Sequence, residues 1–490
     1  MSHEALKFDK IAGPLIEKAK QDGAETMWDR DVAMKSRCGF GDKGICCKIC
    51  NMGPCRLSPV EGKGAQRGIC GATADTIVAR NFARMVAAGS SAHSDHARSL
   101  LHTLHMTSPD GDYQIKDEAK LLSLAKEYEV ETEGRDIYDI AHEVAEIGLM
   151  EFGKPFGTQR FIKRATEGRQ KLWKELGVEP RAIDREVVSI MHSTHIGCAS
   201  DMESIYALTV KSALSNGWGG SMIGTDVSDI IFGTPTARQS EANLGCLEEN
   251  MVNILVHGHE PGLSEMIVFA SQDPDIIQLA KDNGAEGINL VGMCCTGNEV
   301  LMRHGVRLAG TFYQQELAVI TGALEAVVVD VQCIFPALAT LSECYHTKFI
   351  ATSPKAKMEG ARYIEFDEER ALEIAKEIVT EAILNYKNRD RNKVLIPQEK
   401  NKSTVGFSIN TIVGGLDKVV NSNVDQLGTV KPLADCIMAG VLRGAAGVVG
   451  CNNPKVAHDN SHLTIIKEMI KNDVIVVVTG CAAITSFLII

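Results

Sequence analysis

The sequence is poor in aromatic residues, in positive charge and in nucleotide-binding motifs. Phe, Trp and Tyr make up 5% of the 490 residues, and the formal net charge is −12. An acidic chain with few side chains for base stacking is not expected to bind nucleic acid or an anionic membrane as its main partner. Neither of the two regions predicted below to form α/β units contains a G-x-G-x-x-G or Walker loop, so we predict no nucleotide site.

The two ends of the sequence are predicted to fold rather than to direct the chain to a membrane. The N-terminal stretch MSHEALKFDKIAGPLIEKAKQDG has the pattern of an amphipathic helix rather than of a secretory signal. Residues 474–490 carry no charge, but Thr479, Gly480, Thr485 and Ser486 interrupt them, which favours a buried strand and a short stub over a tail anchor. We expect a cytoplasmic protein, with a peripheral position at the inner membrane face as the alternative.

Cysteine is abundant, with 15 residues, and in a reducing compartment this indicates metal or redox chemistry rather than disulfides. The block Cys47-x2-Cys50-x4-Cys55, followed by Cys70, supplies four thiolates from one glycine-containing segment. This spacing favours a [4Fe–4S] cluster. A four-cysteine zinc site is the alternative, although such sites more often use two C-x2-C pairs.

Cys38 and Cys46 remain outside this set of four. Two thiolates are half of what a four-thiolate cluster needs, and a two-fold axis between identical subunits would double them. The alternative is that both are spare thiols. On the residues alone the two interpretations have equal weight.

Residues 72–233 have helical patterns, including IVARNFARMVAAG and AHSDHARSLLHTLH. His93, His96, His102 and His105 follow i, i+3 spacing on one side of a predicted helix, with Ser99 interrupting the row. Histidines in such a row can relay protons because their pKa values lie near neutrality. By spacing alone, a partly exposed polar face is the favoured interpretation.

Five apolar β-type runs end in a histidine or cysteine. In parallel α/β sheets, ligands bind outside the carboxyl ends of the strands. One such ending would indicate a cysteine packed in the core, but five converging endings indicate a metal–sulfur centre. The candidate ligands are His259, Cys295, Cys333, Cys451 and Cys481.

The same runs predict the fold class, which is α/β with an N-terminal all-α domain. Strands near 252–258, 288–294, 326–333 and 348–353 alternate with helices, which indicates a parallel sheet. A polar linker then leads to a second α/β unit with strands near 447–450 and 474–479. The predicted domains are a helical domain at 1–235, a Rossmann-like domain at 236–400 and a second, incomplete Rossmann-like domain at 401–490.

The chain closely resembles the catalytic subunit of anaerobic nickel–iron–sulfur carbon monoxide dehydrogenase. The resemblance covers nearly all of the sequence and implies a helical domain followed by two Rossmann-like domains. The matching stretches are RCGFGDKGICCKICNMGPCR, RGICGATADTIVAR, IMHSTHIGC, GTDVSDIIFGTP, VHGHEPGLSE, GINLVGMCCTGNEVLMRHG, VVVDVQCIFP, VVGCNNPKVAHD and VVVTGC.

The resemblance implies a role for each candidate residue. His259, Cys295, Cys333, Cys451 and Cys481 match ligands of the nickel–iron–sulfur centre, whereas His257 and Cys294 do not. Cys47, Cys50, Cys55 and Cys70 match the ligands of a [4Fe–4S] cluster within one chain, and Cys38 and Cys46 match a pair that shares a cluster with the partner subunit. His93 matches a histidine near the substrate, and His96 and His102 match a proton path that Ser99 interrupts.

The implied reaction is CO + H2O to CO2 with two protons and two electrons, in either direction. The implied partners are a second copy of the chain and a ferredoxin-type electron carrier, with an acetyl-CoA synthase subunit as a further candidate. Two alternatives belong to other classes of function: a hybrid-cluster hydroxylamine reductase, and a paralogue that keeps only electron-transfer clusters.

The resemblance stops near the end of the sequence. Family members continue beyond the position of Cys481 with a sixth active-centre cysteine and a catalytic lysine, and AAITSFLII does not resemble that continuation. We therefore expect a truncated or frame-shifted chain that assembles its N-terminal clusters, holds the nickel centre poorly and oxidises CO slowly.

Overall fold

The computed structural model describes residues 11–196, 198–420, 430–453 and 455–489. It divides into two compact units, one made of Met34–Gly233 and the other of Met1–Ala33 with Thr234–Ile490. We call them the helical unit and the sheet unit. The first described helices, α1 (Ala12–Gln21) and α2 (Met27–Ala33), belong to the sheet unit. The predicted N-terminal helix is therefore present as α1, while residues 1–10 of that prediction lie outside the described residues.

The helical unit consists of helices and one short pair of strands. The strands pair antiparallel, with Cys47 opposite Cys55. Its elements are α3 (Gly39–Asp42), β1 (Cys46–Cys47), β2 (Cys55–Arg56), α4 (Ala74–His105), α5 (Glu118–Glu127), α6 (Ile137–Gly153), α7 (Glu167–Glu175), α8 (Ile183–Ser193), α9 (Met202–Ser215) and α10 (Met222–Phe232).

Helix α4 has 32 residues and packs against α6, α8, α9 and α10. Its buried face carries small residues at three- and four-residue intervals, among them Ala79, Ala83 and Ala87, which allows the other helices to approach closely. Ser90 also lies on this face, and its hydroxyl is 3.0 Å from that of Ser212. This buried hydroxyl therefore has a partner, and the two predicted helical patterns form one continuous helix through the Gly-Ser-Ser stretch.

The sheet unit contains an eight-stranded sheet with the order β10-β3-β6-β5-β4-β7-β8-β9. All neighbouring strands are parallel except β10 and β3. The strands are β3 (Arg238–Ala242), β4 (Val252–Gly258), β5 (Ile288–Met293), β6 (Arg307–Gly310), β7 (Leu324–Val329), β8 (Lys348–Ala351), β9 (Arg362–Tyr363) and β10 (Asn401–Val405). The intervening helices are α11 (Pro261–Gln272), α12 (Pro274–Asp282), α13 (Cys294–His304), α14 (Gln315–Ile320), α15 (Ala337–Ser342) and α16 (Ala371–Asn385).

The strand order reverses between β4 and β7. From β4 the chain adds β5 and β6 on one side, and it then adds β7, β8 and β9 on the other. Every residue of β4 and β7 is buried, as expected for parallel strands covered on both faces. In open α/β sheets, the crevice outside the carboxyl ends of the strands at such a reversal is the usual ligand site. The fold therefore places a candidate site next to the ends of β4 and β7.

The last part of the sheet unit contains a two-stranded parallel sheet, in which Gly444 is opposite Val474. The final helix packs Ile484 against Ala242 and Leu308 of the large sheet. No described helix is long and apolar enough to span a membrane. The elements are α17 (Ile409–Val420), α18 (Lys431–Met438), β11 (Gly444–Val448), α19 (Asn460–Lys471), β12 (Val474–Val478) and α20 (Gly480–Ile489).

The predicted fold class, α/β with an N-terminal helical region, is confirmed. The division into domains at residues 235 and 400 stays a prediction. In the structure, α1 packs against α14, and β10 is an edge strand of the large sheet.

Candidate metal centre

The five candidate ligands all follow the carboxyl ends of strands, as the sequence predicted. His259 comes directly after β4, and Cys295 is the second residue of α13, which begins where β5 ends. Cys333 lies in the loop after β7, Cys451 in the loop after β11, and Cys481 in the first turn of α20 after β12. Each of the five candidate ligands therefore comes from a different loop or helix start of the sheet unit.

These side chains come together at one place. Nε2 of His259 lies 3.9 Å from Sγ of Cys333. Cys451 lies close enough to Cys333 and Cys481 for their thiols to lower its pKa, and Cys481 and Cys333 lie close enough to Cys295 to raise the pKa of its thiol. The structure thus brings all five predicted positions into one group of four sulfurs and one imidazole.

Cys294 adds a further sulfur to this group. It is buried, and it lies close enough to Cys333 and Cys481 for their thiols to affect its pKa. The resemblance implied that Cys294 is not a ligand, and its position beside two ligand candidates could not be inferred from the sequence. Its pKa is raised well above the usual value, chiefly by burial and then by the neighbouring thiols.

The electrostatics of the group favour a bound cation. Burial, together with the nearby sulfurs of Cys481 and Cys333, raises the pKa of Cys295. Hydrogen bonds from Cys333 and Cys481 lower the pKa of Cys451. One thiolate is therefore stabilised at the expense of its neighbours, because like charges in a buried site oppose each other. All of these thiols can ionise together only beside a compensating positive charge, which soft metal ions provide.

The imidazole of His259 is held in an orientation that suits a metal ligand. Its Nδ1 lies 3.1 Å from the carbonyl oxygen of Val331. Because a carbonyl can only accept, this contact places the proton on Nδ1 and leaves the lone pair on Nε2, the nitrogen nearest Cys333. A backbone carbonyl on the second nitrogen is the usual arrangement of metal-binding histidines.

His257, two residues earlier, has a structural role. Its Nε2 lies 3.2 Å from the carbonyl oxygen of Cys333. Burial and the charge of His259 lower the pKa of His257 to about 4, so the ring is neutral at pH 7 and donates to that carbonyl. Nε2 of Gln315 donates to the same oxygen at 3.0 Å. These two donors hold the loop that carries Cys333.

The backbone is unusual at two of the cysteines. Cys294 and Cys333 both have φ of 58°, and Gln332 has φ of 64°. Positive φ values are uncommon for residues other than glycine, and strained backbone of this kind is enriched at functional sites. The left-handed conformations occur at the two places where the chain leaves β5 and β7 to present sulfur atoms.

The donor set fits a metal–sulfur cluster better than a single ion. Within the described ranges, no group of three or more His, Cys, Asp or Glu side chains is arranged to hold one metal ion. A cluster places its protein ligands on different metal atoms, so those ligands stand further apart. Four thiolates and one imidazole converging on one place are suitable donors for iron and nickel.

Asp330 is a buried residue of the site that was not predicted. Its carboxylate accepts hydrogen bonds from the N–H groups of His259 and Glu260 and from the hydroxyl of Thr296. Burial raises its pKa to about 7, although the three backbone N–H donors around it act in the opposite direction. An acidic residue at the end of the apolar run VVVDVQC was the available signal, but its partners lie on other loops.

Cys47, Cys50, Cys55 and Cys70 all line one small cavity of the helical unit. A Cβ atom on Gly53 would lie 2.9 Å from the carbonyl oxygen of Cys47, so the loop can only close this tightly with glycine. A hydrogen bond from the N–H of Ala72 lowers the pKa of Cys70. The structure therefore brings the four predicted cysteines together.

Cys38 and Cys46 line a separate, open groove of about 730 Å³ with Lys48, Arg56 and Arg84. Hydrogen bonds from the N–H groups of Gly41 and Phe40 lower the pKa of Cys38. A thiolate in a basic, open groove suits an additional metal–sulfur cluster. The sharing of such a cluster between two subunits stays a prediction.

His93, His96 and His102 lie on α4 in the helical unit. Nδ1 of His93 is 2.8 Å from Oδ1 of Asn216, the first residue of a π-helical turn, Asn216–Ser221. A Cβ atom on Gly220 would lie 3.0 Å from the carbonyl carbon of His93, so this glycine lets the turn approach α4. His96 is half-buried and His102 is exposed. The π-helical turn that fixes the His93 ring was not predicted.

Buried parallel strands whose ends bring several cysteines together, with a four-cysteine segment in a helical unit, fit a metal–sulfur oxidoreductase. A family model described as the Prismane/CO dehydrogenase family matches residues 45–487. The chain belongs to this family, whose members named below are oxidoreductases.

The relatives are similar over most of the chain. Carbon monoxide dehydrogenase 1 of Methanosarcina mazei is 52% identical over 479 residues, which are 97% of this chain and 74% of the relative. A nickel-free crystal structure of carbon monoxide dehydrogenase from Thermococcus sp. AM4 has a TM-score of 0.95 and 48% identity, and covers 100% of this chain and 76% of that one. A structure of acetyl-CoA synthase/carbon monoxide dehydrogenase described with NiZn[Fe4S4] and NiNi[Fe4S4] clusters has a TM-score of 0.91 and 40% identity, covering 99% and 72%.

Proposed function

We propose that the chain catalyses the reversible reaction of CO and H2O to CO2, two protons and two electrons at a nickel–iron–sulfur centre. The observation that carries this proposal is the convergence of His259, Cys295, Cys333, Cys451 and Cys481 at the carboxyl ends of strands, in a chain 52% identical to a carbon monoxide dehydrogenase. We propose the cytoplasm of an anaerobic cell as its compartment, because a thiolate-bound metal centre requires reducing conditions.

The chain's own residues would hold and orient the reactants. When bound, a nickel–iron–sulfur cluster supplies metal atoms that bind CO and lower the pKa of water, and it takes up electrons. His259 would offer Nε2 as a ligand because Nδ1 faces the carbonyl of Val331. His93 would accept a proton on Nε2 because its Nδ1 faces Asn216. His96 and His102 would pass protons onward along α4.

The cysteines of the helical unit would carry the electrons. One [4Fe–4S] cluster per chain would be held by Cys47, Cys50, Cys55 and Cys70, and a second would be shared between the Cys38–Cys46 pairs of a homodimer. Lys48, Arg56 and Arg84, which line the groove of that pair, provide positive charge around the second cluster. A ferredoxin-type carrier is the proposed electron acceptor, and an acetyl-CoA synthase subunit is a candidate partner.

The test is anaerobic expression with nickel, followed by measurement of nickel, iron and CO-dependent viologen reduction. We expect less than stoichiometric nickel and slow CO-dependent reduction in the wild type, and loss of both in Cys333→Ser. Cys344→Ser, a half-buried cysteine of the same unit that is not predicted to bind metal, is the matched control and should retain both. The expectation of slow turnover drawn from the sequence stays a prediction that the same assay tests.

Two outcomes would overturn the proposal. Iron without nickel, together with hydroxylamine reduction, would assign the chain a hybrid-cluster chemistry. Iron confined to the helical-unit cysteines, with neither activity, would leave electron transfer as its function.

A further inference from the structure

We propose that Asp330 is a positioning residue that joins three of the segments carrying the candidate ligands. This inference rests on the proposed function and identifies a residue that controls the assembly of the same centre. Asp330 follows β7 directly, three residues before Cys333, and it is 4% exposed. It binds no metal in the proposed ligand set.

The carboxylate accepts four hydrogen bonds. Oδ1 accepts the N–H of His259 at 2.6 Å and that of Val331, and Oδ2 accepts the N–H of Glu260 at 3.1 Å and the hydroxyl of Thr296 at 3.0 Å. Glu260 is adjacent to His259, and Thr296 is adjacent to Cys295. One side chain therefore fixes the loop after β4, the start of α13 and the loop after β7 relative to one another.

The contacts specify a carboxylate. Backbone N–H groups can only donate, and here three of them point at the two oxygens from different positions. An asparagine has the same shape but replaces one oxygen with an N–H2 group, which cannot accept. Whichever way the amide turns, its N–H2 group would face at least one backbone N–H group. A buried N–H without an acceptor costs about 1–3 kcal/mol in general. Either the N–H of His259 or that of Glu260 would then lose its acceptor, and the loop after β4 would be released.

Asp330→Asn tests the role, with Asp273→Asn as the matched control. Asp273 is a half-buried carboxylate of the same unit that accepts the N–H of Asp275 and pairs with Lys376, and it contacts none of the ligand loops. The first readout is amide hydrogen exchange in metal-free protein. We expect faster exchange in peptides that contain residues 258–260 and 330–333 for Asp330→Asn, and exchange in these peptides at the wild-type rate for Asp273→Asn.

The second readout is metal content after anaerobic expression. Outer-shell substitutions typically lower metal affinity by about 10–100-fold, so we expect Asp330→Asn to lose nickel by at least that order. The iron signal of the four-cysteine cluster in the helical unit should remain, which serves as an internal control. Thr296→Val, which removes one of the four donors, should give a smaller loss, and Thr296→Ser should restore nickel.

The outcomes separate this inference from the proposed function. Unchanged exchange at residues 258–260 in Asp330→Asn, or wild-type nickel content in that variant, would overturn the positioning role. Absence of nickel from the wild-type protein would overturn the proposed function, while the exchange experiment on metal-free protein would still decide whether Asp330 holds the loops.

Discussion

A Cβ atom on Gly258 would lie 1.7 Å from Oδ1 of Asp330. The glycine at the end of β4 therefore leaves the space in which the carboxylate stands, and its φ of 139° is unfavourable for other residues. A side chain at position 258 would overlap the Asp330 carboxylate, so the ends of β4 and β7 can lie this close only with glycine at that position. The positions of His259 and Cys333 therefore depend on Asp330, which is not itself a proposed metal ligand.

Gly258→Ala is expected to displace the Asp330 carboxylate and with it the loop of His259. Nickel content should fall by about tenfold or more, as for other losses of support around a metal ligand. Gly284→Ala is the matched control because Gly284 also has a positive φ, 89°, but nothing lies within 4 Å of its Cβ position. Gly284→Ala measures the destabilisation caused by backbone strain alone, about 1–3 kcal/mol. This variant should keep its nickel. Equal nickel content in the two variants would contradict the argument.

Cys46→Ser should remove one shared cluster from each dimer. The iron content should fall by about two atoms per chain, because a four-iron cluster between two subunits is lost. Cys50→Ser provides the comparison, since loss of the cluster within each chain should remove about four. Metal analysis with analytical ultracentrifugation measures both iron and subunit number. A loss of about four iron atoms per chain in Cys46→Ser would show that the cluster is not shared.

The strands that were predicted are those with long apolar runs. β4, β5 and β7 lie near the predicted positions because they are rich in Val, Ile and Leu, and β8 was predicted from its apolar segment FIA. β3 and β10 were not predicted, because RQSEA and NKSTV are polar sequences whose pairing with each other comes from the tertiary structure. β6 has only Leu308 and Ala309 between an arginine and a glycine, and β9 has two residues, so neither forms an apolar run in the sequence.

The ligand candidates could be found because each follows a strand that the sequence makes visible. Asp330 and Asn216 could not be found in this way. Each contacts partners across elements distant in sequence, and the sequence around Asp330 does not reveal that the N–H groups of His259 and Glu260 point at it. Side chains that position a site are therefore harder to predict than the ligands themselves.

Arg389→Ala should strongly destabilise the sheet unit. The guanidinium donates to both oxygens of Glu325, at 2.8 and 2.5 Å, and to backbone carbonyls that include that of Ala323. Both side chains are almost completely buried, so removal of the arginine leaves a buried carboxylate and costs about 3–5 kcal/mol. Arg362→Ala is the control, because its pair with Glu381 is largely exposed on the arginine side and should contribute less than about 1 kcal/mol.

Urea unfolding of metal-free protein measures these two changes. Trp28 lies in the sheet unit, whereas Trp173 and Trp218 lie in the helical unit. A background with Phe at the latter two positions makes fluorescence report on the sheet unit alone. Similar shifts of the urea midpoint for Arg389→Ala and Arg362→Ala would show that the buried pair has no special contribution.

His93→Ala should keep its metals but lose most CO oxidation. Removal of a general base typically costs about 10²–10⁴-fold in rate, and His93 is not among the proposed metal ligands. Asn216→Ala should give a smaller loss, because the ring then keeps only the Ser221 hydroxyl, 3.3 Å away, as a partner for Nδ1. A hydroxyl can donate or accept, so Ser221 alone does not fix the tautomer of His93.

His105→Ala is the control for these two variants. His105 lies on the same helix but stacks on His142, with ring centroids 5.1 Å apart, and it has no proposed catalytic role. It should keep its turnover. If His93→Ala oxidised CO as fast as His105→Ala with equal nickel and iron, the histidine row would be a polar face of α4 without a role in proton transfer.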